Sequence, residues 1–260
     1  MKKNKKINIV NWIGVYTLLF KEIKRFCKVY QQTILAPAFT SLLFFLVISI
    51  AIGTRVSYEF NYINFLAPGL IIMTMMQNGF ANTSSSILGS KMQGNIVDLL
   101  MPPLSANEII FSYITAATIR SVLVGIITYL LIYPFASLVL YHFLILIIYT
   151  LLGSIFLALL GLIAGIWSEK FDNMSGITNF IITPLTFLSG TFYKIDKLPE
   201  PFYTISLYNP FYYIIDGFRC AFQEEKSSDL VYGITYLSVL NLLIYLISYK
   251  ILKKGWMLKP

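Results

Sequence analysis

Charged side chains are scarce in this chain. They make up 12% of its 260 residues, against 57% hydrophobic residues and a mean hydropathy of +0.72. A soluble globular chain carries about 25% charge, so too little is present to cover a water-facing surface. A soluble fold is excluded. Cysteine is limited to Cys27 and Cys220, which the pattern below separates widely, and histidine to His142. These leave no disulfide framework, no metal-ligand cluster and no convincing Ser/His/Asp set. A glycine-rich loop ending in Gly-Lys-Ser/Thr is missing too, and Gly89-Ser90-Lys91 lacks the spacing that cradles phosphates. No cleavable signal is evident, because the basic start from Met1 to Lys6 does not run directly into an apolar core.

What the chain does have is long apolar runs. Those near the ~20 residues needed to cross a bilayer are 33–53, 62–83, 109–133, 138–166, 174–192 and 231–249. They predict an all-α polytopic membrane protein of six transmembrane helices. The basic residues sit at the ends: residues 1–32 hold eight of the 20 Lys and Arg against one acid, Glu22, and the tail from Lys250 holds four Lys and no acid. The positive-inside rule then places both termini in the cytoplasm, with 54–61, 134–141 and 193–230 outside. The same placement of charge argues against a nucleic-acid partner, despite a net charge of +8.

Ahead of the first span, Trp12, Tyr16, Leu19, Ile23, Phe26 and Tyr30 recur at spacings of three and four. Lys21, Lys24, Arg25 and Lys28 fall between them. The spacing predicts an amphipathic helix over 11–30, suited to the cytoplasmic membrane interface and its anionic lipids. A soluble helix packed on a partner is the other reading of the same pattern.

Two connections are long, 84–108 and 193–230. In the cytoplasmic one, Ile96, Leu99 and Leu100 fall on one face of a short helix beside Asn95 and Asp98, and Pro102-Pro103 prevents its continuation. Ser105 and Glu108 fit a capping box that opens the third span. In the outer connection, 202–222 is almost apolar enough for a seventh span, but that would put the Lys-rich tail outside. Asn209-Pro210 reads as an N-cap followed by proline at the first helical position. Two short helices, about 199–208 and 210–223, are expected to dip into the outer leaflet and return. Non-helical backbone at that depth needs protein or a water-filled path around it. The hairpin is therefore a candidate pathway or gate, with Tyr193, Tyr208, Pro210, Phe211, Tyr212, Asp216 and Arg219 as its candidate residues. An ordinary interfacial belt is the other reading of its aromatics.

Ionisable groups are nearly absent from the spans. The first, second, fifth and sixth runs contain no Asp, Glu, Lys or Arg. An ion-coupled transporter normally holds its ion with intramembrane carboxylates or broken helices, so a secondary transporter or channel is the weaker alternative. A lipid-modifying membrane enzyme lacks a convergent acid, base or nucleophile. The chain reads as a pathway whose energy comes from a separate protein. Arg120, in the middle of the third run, has two readings. It either bonds carbonyls freed near Pro184, or a carboxylate such as Asp216, or else it attracts an anionic cargo. The structural role fits better, because no second basic residue lies in the spans to complete an anion site.

Several motifs then carry a resemblance. They are Phe65-Leu-Ala-Pro-Gly-Leu70, Asn95-Ile-Val-Asp-Leu-Leu-Met-Pro-Pro-Leu-Ser-Ala-Asn-Glu-Ile-Ile110, Phe171-Asp-Asn-Met-Ser, Thr183-Pro-Leu-Thr-Phe-Leu-Ser-Gly-Thr-Phe-Tyr193 and Leu207-Tyr-Asn-Pro-Phe-Tyr-Tyr-Ile-Ile-Asp-Gly-Phe-Arg219. In this order on a six-span frame, the chain resembles the ABC-2 type permeases, the membrane subunits of ABC exporters. Within that family it is most similar to the branch of nodulation-factor, daunorubicin and polysaccharide export permeases. The resemblance implies one transmembrane domain over 1–260, in a bacterial inner membrane. It implies a homodimer, and a separate ATP-binding subunit that carries the ATP and Mg; no cofactor is expected on this chain. It also implies that 90–104 is the coupling helix loop, with Asn95, Ile96, Asp98, Leu99 and Leu100 as its contacts.

Overall fold

The computed structural model describes residues 10–53, 62–224 and 230–255, and these contain helices and no strands. Four stretches are long and apolar enough to cross a membrane: Gln31–Ala51, Ala106–Phe135, Phe143–Trp167 and Leu230–Lys254. The expected outer connection 54–61 lies outside the described residues.

Helix α1 (Trp12–Lys28) opens on Asn11, whose side chain accepts from the Gly14 amide. It lies along α5 (Ala106–Ile132) in the same direction. Glu108 meets Asn11, Ser112 meets the Val15 carbonyl, and Phe26 packs near Val124. Its buried strip is Val15, Leu18, Glu22 and Phe26. Of the expected apolar stripe, Phe26 is buried, whereas Trp12, Tyr16 and Tyr30 are exposed. The helix therefore has two apolar faces, one against α5 and an aromatic one turned outward.

A π turn (Gln31–Leu35) leads into α2 (Ala36–Gly53). Helix α3 (Tyr62–Met92) is the hub, packed against α2, α5, α6 (Phe143–Trp167) and α10 (Pro210–Cys220). Its burial explains a composition that would be costly facing lipid. Thr74, Asn78, Asn82, Thr83, Ser84 and Ser86 are all buried in it. Most of their polar atoms find partners nearby: Asn78 Nδ2 donates to the Thr74 carbonyl at 2.9 Å, and Thr83 Oγ1 to the Ala158 carbonyl at 2.8 Å. The α3–α6 contact is close because α6 carries Gly161 and Gly165. A Cβ on Gly161 would stand 2.4 Å from the Phe80 carbonyl oxygen, so only glycine lets the backbones approach. Lys91, at the end of α3, donates to the carbonyls of Ile166 and Ser168 at 2.5 and 2.8 Å. A cation there satisfies the last carbonyls of α6 and complements its dipole.

After α3 come Gly94, at φ +72°, and α4 (Ile96–Leu100). The predicted capping box at Ser105 and Glu108 is formed. The fifth apolar run is broken: α7 (Phe171–Ile177), a π turn (Thr178–Ile182) and α8 (Thr183–Phe187) follow one another, with Pro184 at the start of α8. The long connection after the fifth run contains α9 (Phe202–Tyr208) and α10, where the sequence places two short helices, and α11 (Leu230–Lys254) follows it.

Candidate functional site

Two regions hold most of the sequence-predicted residues, and Arg120 lies apart from both. At the α4 end, Ile96 and Leu99 are buried in a cluster with Leu18, Ile109, Ile110 and Tyr113. Leu100 does not share their face. It is 44% exposed, as are Val97 at 45% and Met101 at 78%. Asn95 and Asp98 are exposed as well. A five-residue helix has no independent stability, so its position comes from its neighbours. Close by, Glu108 joins the starts of α1 and α5: one carboxylate oxygen accepts from the Asn11 amide at 2.5 Å and the other from the Ser105 amide at 2.6 Å. That carboxylate caps α1 and α5 together. A cleft of about 210 Å³ between α1 and the α4 loop is lined by Lys21, Asp98, Leu99 and Leu104 among others.

The second region is the α9–α10 hairpin. Asn209 is its pivot: Nδ2 donates to the Leu185 carbonyl at 2.8 Å and to Ser189 Oγ at 2.9 Å, while Oδ1 accepts from the Phe211 amide at 3.1 Å. Helix α10 runs antiparallel to α6. Phe211 stacks edge-on against Phe156, Ile214 lies over Gly153, Gly217 over Tyr149, and the Ala221 carbonyl accepts from the amides of Tyr141 and His142. The tip at Phe211 thus sits beside Phe156, about 20 Å along α6 from Phe143 at the ~1.5 Å rise per residue.

Arg219 is 5% exposed and ties three distant segments together. Its Nε donates to the Phe65 carbonyl at 3.2 Å, its Nη2 to the Gly190 carbonyl at 3.0 Å, and its guanidinium lies 3.7 Å from the Phe65 ring centre. Gly69 makes room for it, since a Cβ there would be 2.9 Å from Nη2 and 3.0 Å from the Thr191 carbonyl oxygen. Four of the predicted pathway residues, Tyr193, Tyr212, Asp216 and Arg219, share a cavity of about 210 Å³ with Lys194 and Asp196. The other three are not brought there: Phe211 is buried in the core, Pro210 is half-buried, and Tyr208 is 76% exposed. Burial raises the Tyr193 phenol pKa.

Arg120 turns inward, as expected, and is 6% exposed. Its partners are not those expected. Rather than carbonyls near Pro184 or Asp216, it donates to Asn78 Oδ1 at 2.9 Å, Asn82 Oδ1 at 3.4 Å and the Thr33 carbonyl at 3.3 Å. Helix α3 and the π turn stand beside α5 here and supply neutral oxygens. Sequence reasoning missed Asn78 and Asn82, although amides four residues apart in an apolar run were a usable signal. It also missed the second basic residue, Arg25, because α1 brings it in from outside the spans.

Comparison with known proteins accords with this architecture. Residues 14–222 match the family described as ABC-2 type transporter. The chain is 32% identical over 246 residues to the inner membrane transport permease YadH of Escherichia coli K12, covering 94% of this chain and 96% of that protein. The same values hold for the YadH proteins of Escherichia coli O157:H7 and Shigella flexneri. With a family match over most of its length and full-length relatives above 30% identity, this chain belongs to the ABC-2 type transporter family.

Proposed function

We propose that this chain is the membrane subunit of an ATP-driven exporter, working as a homodimer with a separate ATP-binding subunit docked on α4. The observation that carries the reading is the paired character of α4. Ile96 and Leu99 anchor it in the apolar cluster with Leu18 of α1 and Ile109, Ile110 and Tyr113 of α5, while Val97, Asp98, Leu100 and Met101 present an outward surface. A rigid partly apolar ledge with no nucleotide loop in the chain suits a partner that supplies ATP and Mg.

Family membership and the inner-membrane relatives support a multi-pass protein of the bacterial inner membrane, and the basic residues at its two ends support placing both termini in the cytoplasm. In this reading six segments cross the membrane. Helix α3 is the second, its polar side chains shielded by its neighbours, and the broken α7–α8 rod is the fifth. The depth of Phe211 along α6 supports a hairpin that re-enters from the outer face. Tyr193, Tyr212, Asp216 and Arg219 then line the outer end of the route. Its cargo is a lipid-linked, glycan or amphipathic molecule.

The test is co-expression with a stand-alone ATP-binding subunit from the same organism. Wild type co-purifies with it, and Leu100→Asp yields folded, membrane-inserted protein without it. Burying an unpaired carboxylate in a docking groove is unfavourable. Retention of the ATPase by Leu100→Asp and Met101→Asp alike would remove α4 as the docking element. Leu99→Asp is a poor probe, because Leu99 is packed inside.

A further inference from the structure

Around Arg120 the molecule gathers more donors than acceptors. Arg25 Nη2 donates to Asn82 Oδ1 at 3.0 Å and to the Asn82 carbonyl at 2.9 Å. Arg120 Nη1 reaches the same Oδ1 at 3.4 Å. Two guanidiniums therefore share one neutral oxygen. Asn82 is fully buried, and its Nδ2 has no hydrogen-bond partner among the described residues. An orphaned buried donor carries a desolvation cost of about 1–3 kcal/mol. Among the described residues the one carboxylate in the cluster is Glu22, 1% exposed and paired with Arg25 Nε at 3.1 Å. Among the described residues Arg120 has no ion pair. The group is left with one uncompensated positive charge and one unmet donor.

The cluster is not sealed. The Arg25 side chain is 33% exposed, and Lys21, Lys24 and Lys28 around it on α1 are exposed. Lysines of this kind place that stretch of α1 at the polar headgroup level of the cytoplasmic leaflet. What the cluster lacks is an anion with several acceptor oxygens, and what borders it at that depth is lipid phosphate.

We infer that Arg25, Arg120 and Asn82 form a binding site for a phosphate group at the cytoplasmic leaflet, entered past Arg25. A phosphate presents acceptor oxygens that two guanidiniums can engage at once, and it neutralises the excess charge. Arg120 and Asn82 form the floor, Arg25 the rim. The site is independent of which cargo is moved, and stands or falls separately from docking at α4.

The discriminating variant is Asn82→Asp. It is nearly isosteric, removes the orphaned donor and places a carboxylate between the guanidiniums, so it supplies internally what phosphate supplies from outside. The full chain is placed in phosphatidylcholine nanodiscs, and its thermal unfolding is followed as phosphatidylglycerol is added. Wild type is stabilised by the anionic lipid. Asn82→Asp is more stable than wild type in phosphatidylcholine alone, and its apparent affinity for phosphatidylglycerol falls on the order of tenfold, the size of one lost charge-assisted hydrogen bond. Arg25→Gln keeps the Arg120 floor and also loses affinity. Glycerol phosphate added to phosphatidylcholine nanodiscs separates the sources: a matching shift assigns any accessible phosphate group, cargo included, and its absence with the lipid response intact assigns the bilayer lipid. Equal phosphatidylglycerol responses in wild type and Asn82→Asp would overturn the site, leaving the exposed lysines as the whole of the attraction. So would an Asn82→Asp protein less stable than wild type in phosphatidylcholine.

Discussion

Removing the Arg219 guanidinium should loosen the α9–α10 hairpin by an amount that depends on what stands at position 69. Arg219→Met keeps the length and apolar bulk of the side chain but deletes its donors to the Phe65 and Gly190 carbonyls. Two charge-assisted bonds at about 1.5–3 kcal/mol each and a desolvated cation–π contact of about 2 kcal/mol are lost. Against these stands the several kcal/mol of desolvation that methionine does not pay. The net is a destabilisation of about 2–4 kcal/mol. Gly69→Ala acts on the same point from the other side. Its new Cβ meets Nη2 at 2.9 Å and the Thr191 carbonyl oxygen at 3.0 Å, an overpacking worth about 1–3 kcal/mol. In the double variant the flexible half of that clash is gone, so the two costs should fall short of additivity by about 0.5–1.5 kcal/mol. Unfolding in detergent, followed as retention of a monodisperse folded species, measures all four corners of the cycle. Strict additivity would mean that the two positions act separately and that Arg219 does not clamp α10 onto α3.

Glu108 gives a graded series. Glutamine offers one acceptor where the carboxylate offers two, and alanine offers none. Glu108→Gln should cost about 1 kcal/mol and Glu108→Ala about 2–3 kcal/mol, with α1 becoming more susceptible to proteolysis in the alanine variant; equal losses would show that Glu108 does not staple α1 to α5. Topology is tested in a background with Cys27 and Cys220 replaced by serine. A cysteine at Lys197, which is exposed in the outer connection, should react with an impermeant thiol reagent from outside, and one at Lys253 should not. An externally reactive position 253 would displace the six-span reading.

The apolar runs were legible because lipid imposes length and composition on any helix it touches. Helices α2, α5, α6 and α11 answer to that rule. Helix α3 does so less well, since its neighbours take the place of lipid and permit Asn78, Asn82, Thr83 and Ser84. Local signals also came through: the Ser105–Glu108 box, the Asn209 cap and the stop at Pro102-Pro103 each depend on residues within a few positions. What could not be read were pairings between segments far apart in sequence. Glu108 reaching the Asn11 amide, Arg219 reaching Phe65 and Gly190, and Arg25 meeting Asn82 all follow from how helices are set side by side. For the same reason the spacing groups Leu100 on one face with Ile96 and Leu99, from which the structure separates it. Over one and a half turns, spacing leaves the orientation of a side chain open, and the packing of Leu99 against the α5 cluster decides it.

The most direct test of the central claim is energetic. The chain and its ATP-binding subunit are reconstituted in proteoliposomes, and movement of an amphipathic or lipid-linked cargo is followed with ATP, with ATP and vanadate, and with an imposed proton or sodium gradient alone. Transport that needs ATP, stops with vanadate, and is absent when Leu100→Asp replaces wild type is the predicted result. Transport by this chain alone, driven by the ion gradient, would contradict it.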